Sequence, residues 1–299
     1  PSSAAHSAHL GGEVRHNRES PSVLQPLTVN RMPRNHSRYP TIAGNPWASI
    51  LVCEPGFLSS PDDRTLRVAT KPLFGDPLAT TLADGIDIGL LGIELHTRRR
   101  NRMNGVVTAT HANGFEVSVG QSFGNCPQYI QARMCVLEGF DLTASKPVHK
   151  LTALSQPEQI AITAADTFFI ATAYQDASAG GASGVDVSHR GGKPGFVRID
   201  DDHTLTVPDF SGNCHFNTFG NLELNPRAGL LFVDFEQGNL LSLTGTAEVI
   251  WEGDEILTYE GAERLFRFRL ERGYRVDGSL PLRWSPPELS PRLKQTGSW

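Results

Sequence analysis

The chain has 299 residues, of which 39% are hydrophobic and 20% charged, and its formal net charge is −5. This length allows one large core or two medium cores, and the acidic balance argues against a nucleic-acid-binding surface. No apolar run approaches the roughly 18 residues that a membrane-spanning helix needs. Residues 1–20 lack the apolar core of a secretory signal, and none of the four cysteines forms a CxxC pair, which indicates reduced thiols in a cytoplasmic protein.

Four segments follow one another along the chain. Residues 1–45 are polar and rich in histidine and arginine, and they predict a helical or irregular N-terminal extension. Residues 46–150 contain short β-rich runs, among them SILVC and DIGLLGIEL, and one helical crossover, PLATTLADG. Residues 151–251 contain the similar runs FFIATA, TLTVP and AGLLFVDF, with the crossover NTFGNLELNP. Residues 252–299 contain EGAERLFRFRLERGYRV, whose alternating charges predict a helix, and then a proline-rich tail.

Two of these segments share a repeated motif. With a shift of 139 residues, 55–68 (PGFLSSPDDRTLRV) lies over 194–207 (PGFVRIDDDHTLTV), and eight of fourteen positions are identical. With a shift of 140, the Gly-Leu-Leu at 89–91 lies over the Gly-Leu-Leu at 229–231. One loop insertion explains this slip of a single residue. The pattern predicts a tandem duplication of one structural unit.

The repeated unit predicts a mainly β fold with short helices. Each copy offers about five or six strands and one crossover, which suits a small closed barrel. We therefore expect two tandem β-barrels packed as a pseudo-dimer, with helical N- and C-terminal flanks. The first barrel unit spans 46–150 and includes a following helix, the second spans 151–251, and 252–299 forms a C-terminal helix and tail. The duplicated aspartates of the motif are predicted turn residues.

The ordered series of motifs resembles the pyridoxamine 5′-phosphate oxidase-like split-barrel flavoproteins. It consists of DVSHRGGKPGFVRIDDDHTLTVPDFSGN, GNLELNPRAGLLFVDF and LTGTAEV, and FGNCPQYIQAR resembles a segment of one branch of that family. The resemblance covers about 166–251 well and 46–135 more weakly. It implies FMN bound at the interface between two barrels, with the phosphate held by arginine, lysine and serine side chains. Because both barrels lie on one chain here, two quasi-equivalent sites are implied.

The resemblance carries over to particular residues of the second unit. Ser188 and Arg190 match the Ser-x-Arg-Gly motif, and Asn213 matches Gly-Asn. Near the following helix, where the family places arginine or lysine, this chain has NCHFNTFGN, of which Asn217 is a candidate cofactor-binding residue. The second unit alone therefore lacks the cations of a phosphate site.

The first unit supplies arginines in the corresponding strand, HTRRRNRMNG. In an extended strand, Arg98, Arg100 and Arg102 share one face and Arg99 lies opposite. Guanidiniums that converge on one face repel each other unless an anion lies among them, and arginine binds phosphate in a bidentate manner. This favours an anion site, and the alternative is a solvated basic edge that discourages strand-to-strand aggregation.

The segment SFGNCPQYIQAR adds two further candidates. Asn125 precedes a predicted turn into a helix, where it caps the helix or lies near a bound phosphate, and Tyr129 follows in the same segment. Cys126 is interpreted as a buried thiol near the cofactor, since no base is fixed beside it in sequence.

The leading hypothesis is an FMN-binding oxidoreductase of unknown substrate, with a small molecule or an electron-transfer protein as its partner and a homodimer as one open arrangement. No catalytic residue and no metal site can be assigned. Haem or deazaflavin is an alternative cofactor, with His189 or His215 as the axial ligand of a haem. A non-enzymatic ligand- or partner-binding module with a decayed flavin site is the third alternative.

Overall fold

The structure is a computed structural model. It describes the backbone of residues 27–32 and the segments 45–124, 126–138, 141, 144–174, 184–212 and 216–297. The fold is mainly β, as the sequence predicts, and its sheet structure curls into a half-barrel.

A seven-stranded sheet, called the front sheet, is formed by the first part of the chain. Its strands are β1 (Leu27–Met32), β2 (Trp47–Leu51), β3 (Leu58–Ser59), β4 (Thr65–Val68), β5 (Asp87–Glu94), β6 (Arg99–His111) and β7 (Gly114–Gly124). Two short strands follow, β8 (Cys135–Leu137) and β9 (Val148–Leu151).

The second part of the chain forms the rear sheet. After helix α1 (Gln156–Ala164), its strands are β10 (Thr167–Tyr174), β11 (Gly184–Gly191), β12 (Arg198–Ile199), β13 (Thr204–Phe210), β14 (Arg227–Val233), β15 (Leu240–Ile250) and β16 (Ala262–Val276). Helix α2 (Asn217–Leu224) connects β13 to β14, and helix α3 (Asp254–Leu257) connects β15 to β16. β9 extends the rear sheet by pairing with β16, and β17 (Leu282–Trp284) pairs with β8.

Both sheets follow one strand order. The front order is β2-β1-β5-β6-β7-β4-β3, and the rear order is β11-β10-β14-β15-β16-β13-β12. Each front strand therefore has a rear counterpart at the same place in the sheet, which is the arrangement that the repeated sequence motif predicts.

The duplicated aspartates lie in turns, as predicted. The Asp62 carboxylate accepts the backbone N–H groups of Arg64 and Thr65, and the Asp201 carboxylate accepts the backbone N–H of His203. These hydrogen bonds favour the charged form and lower the pKa of both aspartates. Each turn leads directly into a strand that carries the Thr-Leu motif.

The predicted flanking helices are wrong where the structure describes the flanks. The segment that was expected to be a C-terminal helix is β16, which pairs with β15 on one side and β13 on the other. Its buried Phe266, Phe268 and Leu270 alternate with more exposed residues, which is the period of a strand. In the N-terminal segment, β1 is a strand between β2 and β5 of the front sheet. The rest of residues 1–44 lies outside the described part.

The predicted crossovers are helical, but one other predicted helix is not. The first crossover contains a 3₁₀ turn (Pro77–Thr80), and the second contains α2. The helix expected after position 125 is wrong, because residues 126–134 are irregular and lead into β8. None of the helices in the segments described above is long and apolar enough to cross a membrane.

The two sheets pack against each other through equivalent strands. A Cβ atom on Gly89 in β5 would lie 2.6 Å from the carbonyl oxygen of Val185 in β11. A Cβ atom on Gly229 in β14 would lie 2.5 Å from the carbonyl oxygen of Pro46, next to β2. The two glycines are equivalent in the repeat, so each sheet approaches the other through the same strand. This is the pseudo-dimer packing that the fold prediction describes.

Apolar side chains from both sheets fill the interface. One hydrophobic cluster joins front residues to rear residues, and its members include Ala48, Ile50, Leu91 and Ile93 together with Phe169, Ala171, Val187 and Leu231. Each sheet also has a separate core on its other face. The boundary between the two halves is therefore a continuous apolar layer, and the candidate site lies at its edge.

Candidate functional site

A cleft opens where β6 of the front sheet meets β11 and β13 of the rear sheet. Its volume is about 940 Å³ when the part open to solvent is counted. Residues of the 126–129 segment, the start of α2 and β16 complete its walls. Four arginines and two carboxylates lie among the lining residues: Arg100, Arg102, Arg190, Arg264, Asp209 and Glu263.

Arg102 joins the two halves of the chain at this cleft. It lies on β6, and its side chain is buried. Its Nη1 atom donates to Asp186 Oδ1 at 3.2 Å, and its Nη2 atom donates to Ser188 Oγ, both on β11. Burial lowers the pKa of Arg102, and the Asp186 carboxylate opposes this effect. Thr218 at the start of α2 donates to the same Ser188 oxygen at 3.1 Å.

A single carboxylate holds two more arginines. Asp209 on β13 is buried and accepts hydrogen bonds from Arg190 and from Arg264, the latter at 2.6 Å. The Arg190 guanidinium lies over the Phe219 ring at 4.8 Å from its centroid. This pairing keeps both guanidiniums at the wall of the cleft, where charge-assisted hydrogen bonds fix their orientation.

Arg100 has no carboxylate partner among the residues that the structure describes. Its Nε atom donates to the backbone oxygen of Cys126 at 2.8 Å, and no other hydrogen bond or ion pair of its guanidinium is seen there. Burial, together with the nearby charges of Arg102 and Arg190, lowers the pKa of Arg100 to about 10. A half-buried cation without a counter-ion is costly, so this position favours an anion.

Aromatic side chains form the other wall. The rings of Tyr129 and Phe210 lie 5.2 Å apart, and the Tyr129 hydroxyl donates to the Ser211 backbone oxygen. Phe216 and Phe219, before and within α2, also line the cleft. Among the described residues, no side chain caps the N-terminus of α2, so the N–H groups of its first turn add positive potential beside the arginines.

His189 is buried at the base of the same cleft. Its ring packs edge-on against Phe169 at 5.7 Å. Burial lowers its pKa well below the ordinary value, and the charges of Arg100, Arg190 and Arg133 act in the same direction. The imidazole is therefore neutral at physiological pH, and its buried Nε2 atom has no hydrogen-bond partner within the described chain.

The structure brings together five of the nine predicted site residues. Ser188, Arg190, Arg100, Arg102 and Tyr129 all line the cleft. Arg100 and Arg102 come from the front sheet and the other residues come from outside it, which is the combination that the sequence analysis expected.

The remaining predicted residues lie elsewhere or cannot be described. Arg98 does not share the face of Arg100 and Arg102, because it precedes β6 in a left-handed conformation with φ of 57°. Its guanidinium contacts Glu288 and the Ile130 backbone instead. Asn217 begins α2 but is not among the cleft-lining residues. Asn125 and Asn213 lie outside the described residues, as does His215.

Sequence reasoning missed the carboxylate–arginine pair of the rear wall. Asp209 and Arg264 are cross-strand neighbours on β13 and β16. Opposite charges at such positions are a common pairing in antiparallel sheets. The signal was present in the alternating FRFRL run, but the segment had been interpreted as a helix. The aromatic wall of Phe216 and Phe219 was missed as well.

A phosphate-bearing planar molecule fits this donor set. Arg100, Arg102 and the first turn of α2 provide positive charge and N–H donors, and the aromatic wall provides apolar contact for a ring. Buried donors without partners in the described segments, the Nε atoms of Arg102 and Arg190, add unsatisfied hydrogen-bonding capacity at the same place.

The fold and the cleft define a mainly β protein with a candidate anion site between two half-barrel sheets. The chain matches no family model and no curated protein. Among solved structures, it is similar to HupZ from Group A Streptococcus, with 20% identity over 40% of this chain and 90% of HupZ and a TM-score of 0.32. It is also similar to a candidate pyridoxamine 5′-phosphate oxidase from Lactobacillus delbrueckii, with 16% identity over 41% of this chain and 94% of that protein and a TM-score of 0.33. Similarity at this level carries no argument about function.

Proposed function

We propose that the chain is an FMN-binding flavoprotein that acts as an oxidoreductase, with the cofactor held in the inter-sheet cleft. The observation that carries the proposal is Arg100, a half-buried guanidinium that lacks a carboxylate partner in the described chain. Asp186 pairs with Arg102, while Asp209 and Glu263 pair with Arg190 and Arg264. Among the described residues, four guanidiniums at the cleft therefore meet three carboxylates, which leaves one positive charge in excess. A bound phosphate monoester supplies the missing negative charge.

The residues divide between the two ends of such a ligand. Arg100, Arg102 and Ser188 would hold the phosphate, while Tyr129 and Phe210 would contact the ring. The flavin would supply the hydride or electron transfer. The protein would bind and orient the ligand and exclude water, which agrees with the described lining residues, since none of them form an acid–base pair of evident catalytic type. The sequence resemblance to split-barrel flavoproteins supports the same assignment.

An FMN titration with matched variants tests the proposal. Arg100→Ala removes a charge-assisted contact worth about 1.5–3 kcal/mol, so we expect the Kd for FMN to rise about 10- to 100-fold. Arg99→Ala is the control, because Arg99 lies on the same strand and is exposed. Its Kd should stay within about twofold of the wild type, since exposed charges contribute little. Flavin fluorescence quenching measures both values.

The spectrum of the purified protein separates this proposal from its alternatives. Flavin absorption, or FMN uptake by a colourless preparation, supports it. A Soret band would identify haem instead, and among the described residues His189 is the histidine that lines the cleft. A protein that takes up neither, although it is folded by circular dichroism, would be a binding module without a cofactor.

A further inference from the structure

We infer that the chain binds one anionic ligand, in the cleft described above, because Trp47 and Asp76 fill the pseudo-equivalent position at the other edge of the interface. The inference rests on the proposed function, because it concerns how many ligands of the proposed kind the two related halves bind. The sequence repeat alone leaves room for two sites.

Strand register fixes which positions correspond. β5 and β6 pair at Leu91 and Arg102, while β14 and β15 pair at Leu231 and Ser242. Leu91 and Leu231 are equivalent in the sequence repeat, so Ser242 occupies the position of Arg102. The side chain that bridges the two halves at the cleft is thus replaced by a short neutral one.

Two other cations of the cleft, Arg100 and Arg190, are replaced as well. By the same registers, Leu240 occupies the position of Arg100, and Leu51 occupies the position of Arg190. Both leucines are buried in apolar clusters. A phosphate would therefore find no guanidinium at any of the three equivalent positions.

An indole ring fills the space at this second edge. Trp47 on β2 occupies the position of Asp186 on β11, the carboxylate partner of Arg102. Trp47 is buried, and its ring lies 5.3 Å from that of Tyr274, the residue paired with Ser242. A large apolar ring thus lies where the cleft has a charged pair.

A carboxylate of the chain itself takes the place of the ligand anion. Ser49 occupies the position of Ser188, but its hydroxyl donates to Asp76 Oδ1 at 2.6 Å. The same Asp76 oxygen accepts the backbone N–H of Leu78 at 2.7 Å, in the 3₁₀ turn (Pro77–Thr80) of the front crossover. The donors that would face a phosphate are therefore already satisfied.

Counting bound ligands tests the inference. The wild-type chain is titrated with FMN by equilibrium dialysis and with inorganic pyrophosphate by calorimetry, and we expect one equivalent of each per chain. Arg102→Ala should raise the Kd for FMN and the Kd for pyrophosphate by at least tenfold, so that no bound equivalent keeps the wild-type affinity. Ser242→Ala is the matched control at the second edge, and it should leave the stoichiometry and the Kd unchanged.

The outcomes separate the two proposals. Two equivalents per chain overturn the single-site inference alone. One equivalent that survives Arg102→Ala at full affinity overturns the assignment of the ligand to this cleft, and with it both proposals. Pyrophosphate binding at one equivalent without any FMN binding overturns the flavin assignment and supports the single site. Failure of both probes to bind the folded chain overturns both proposals.

Discussion

The rear sheet and the front sheet share one strand order but have different cores. The rear core cluster includes eight buried aromatic side chains, whereas the front core cluster includes two. Phe168 in the rear sheet lies within 6.4 Å of three other rings, those of Phe196, Phe232 and Phe266. One topology is therefore stabilised by aromatic packing in one half and mainly by aliphatic packing in the other.

This difference shows how the two halves contribute to the candidate site. Phe196, Phe210 and Phe219 belong to the rear core and also line the cleft, so the rear wall is continuous with a densely packed interior. The front half contributes Arg100 and Arg102 from β6. Rigid apolar surface thus comes from one half, and the guanidinium without a carboxylate partner in the described residues, that of Arg100, comes from the other.

The largest expected effect is on the rear core. Phe168→Ala removes a fully buried ring that contacts three others, and we expect it to lower the free energy of unfolding by about 3–5 kcal/mol. Urea denaturation followed by circular dichroism measures the change. Phe168→Leu keeps most of the volume and should cost clearly less, and equal losses in the two variants would contradict the role given to aromatic packing.

The front half is expected to respond to pH through Asp76. Burial raises the pKa of Asp76 to about 6 from the ordinary 3.8. The folded state binds this proton more tightly than the unfolded state does. The contribution of Asp76 to the free energy of unfolding is therefore complete below about pH 4 and is lost as pH rises to about 6. The ionised form then costs about 3 kcal/mol, at 1.36 kcal/mol for each unit of pKa.

Asp76→Asn isolates this contribution. The amide Oδ1 can still accept from Ser49 and Leu78, but the side chain no longer titrates. We expect the variant to match the wild type near pH 4 and to exceed its stability by about 3 kcal/mol at pH 7. Unfolding midpoints measured across this range provide the comparison, and parallel pH profiles for the two proteins would be inconsistent with a buried carboxyl that titrates at this position.

Substitutions at the contact between the two halves should lower the stability by a smaller amount, and by a similar amount on the two sides of the contact. Gly89→Ala and Gly229→Ala each place a methyl group against a backbone oxygen of the other half, and overpacking of this kind costs about 1–3 kcal/mol. Gly220→Ala is the control, because a Cβ atom there has no neighbour within 4 Å. Thermal unfolding compares the three variants. Loss in only one of the two interface variants would argue against equivalent packing.

Much of the fold could be predicted from the sequence, because short β-rich runs and a repeated motif are local signals. The secondary structure of β16 could not be predicted in this way, since its alternating charges are also typical of a helix. Its alternation of Phe266 and Phe268 with Arg267 is short, and the strands that pair on both sides of it come from distant parts of the chain. A strand with two partners is defined by tertiary structure rather than by charge pattern.

The candidate site was predictable where it depended on strand periodicity. Arg100 and Arg102 lie two residues apart on β6, so their common face follows from the period of a strand. The face of Arg98 could not be predicted, because this residue adopts a left-handed conformation at the end of the 3₁₀ turn Leu95–Thr97 before β6, and no local sequence motif indicates this. The wall formed by Phe216 and Phe219 depends on how α2 docks on the rear sheet, which sequence spacing does not determine.

The position of Arg102 has a thermodynamic consequence. Its guanidinium belongs to the front half and binds Asp186 and Ser188 of the rear half. A ligand that contacts both this guanidinium and the rear half favours the docked arrangement of the halves, and by reciprocity a change that weakens docking lowers the affinity for that ligand by the same factor. A measurement of the affinity for the ligand would then also report how stable the packing between the two halves is.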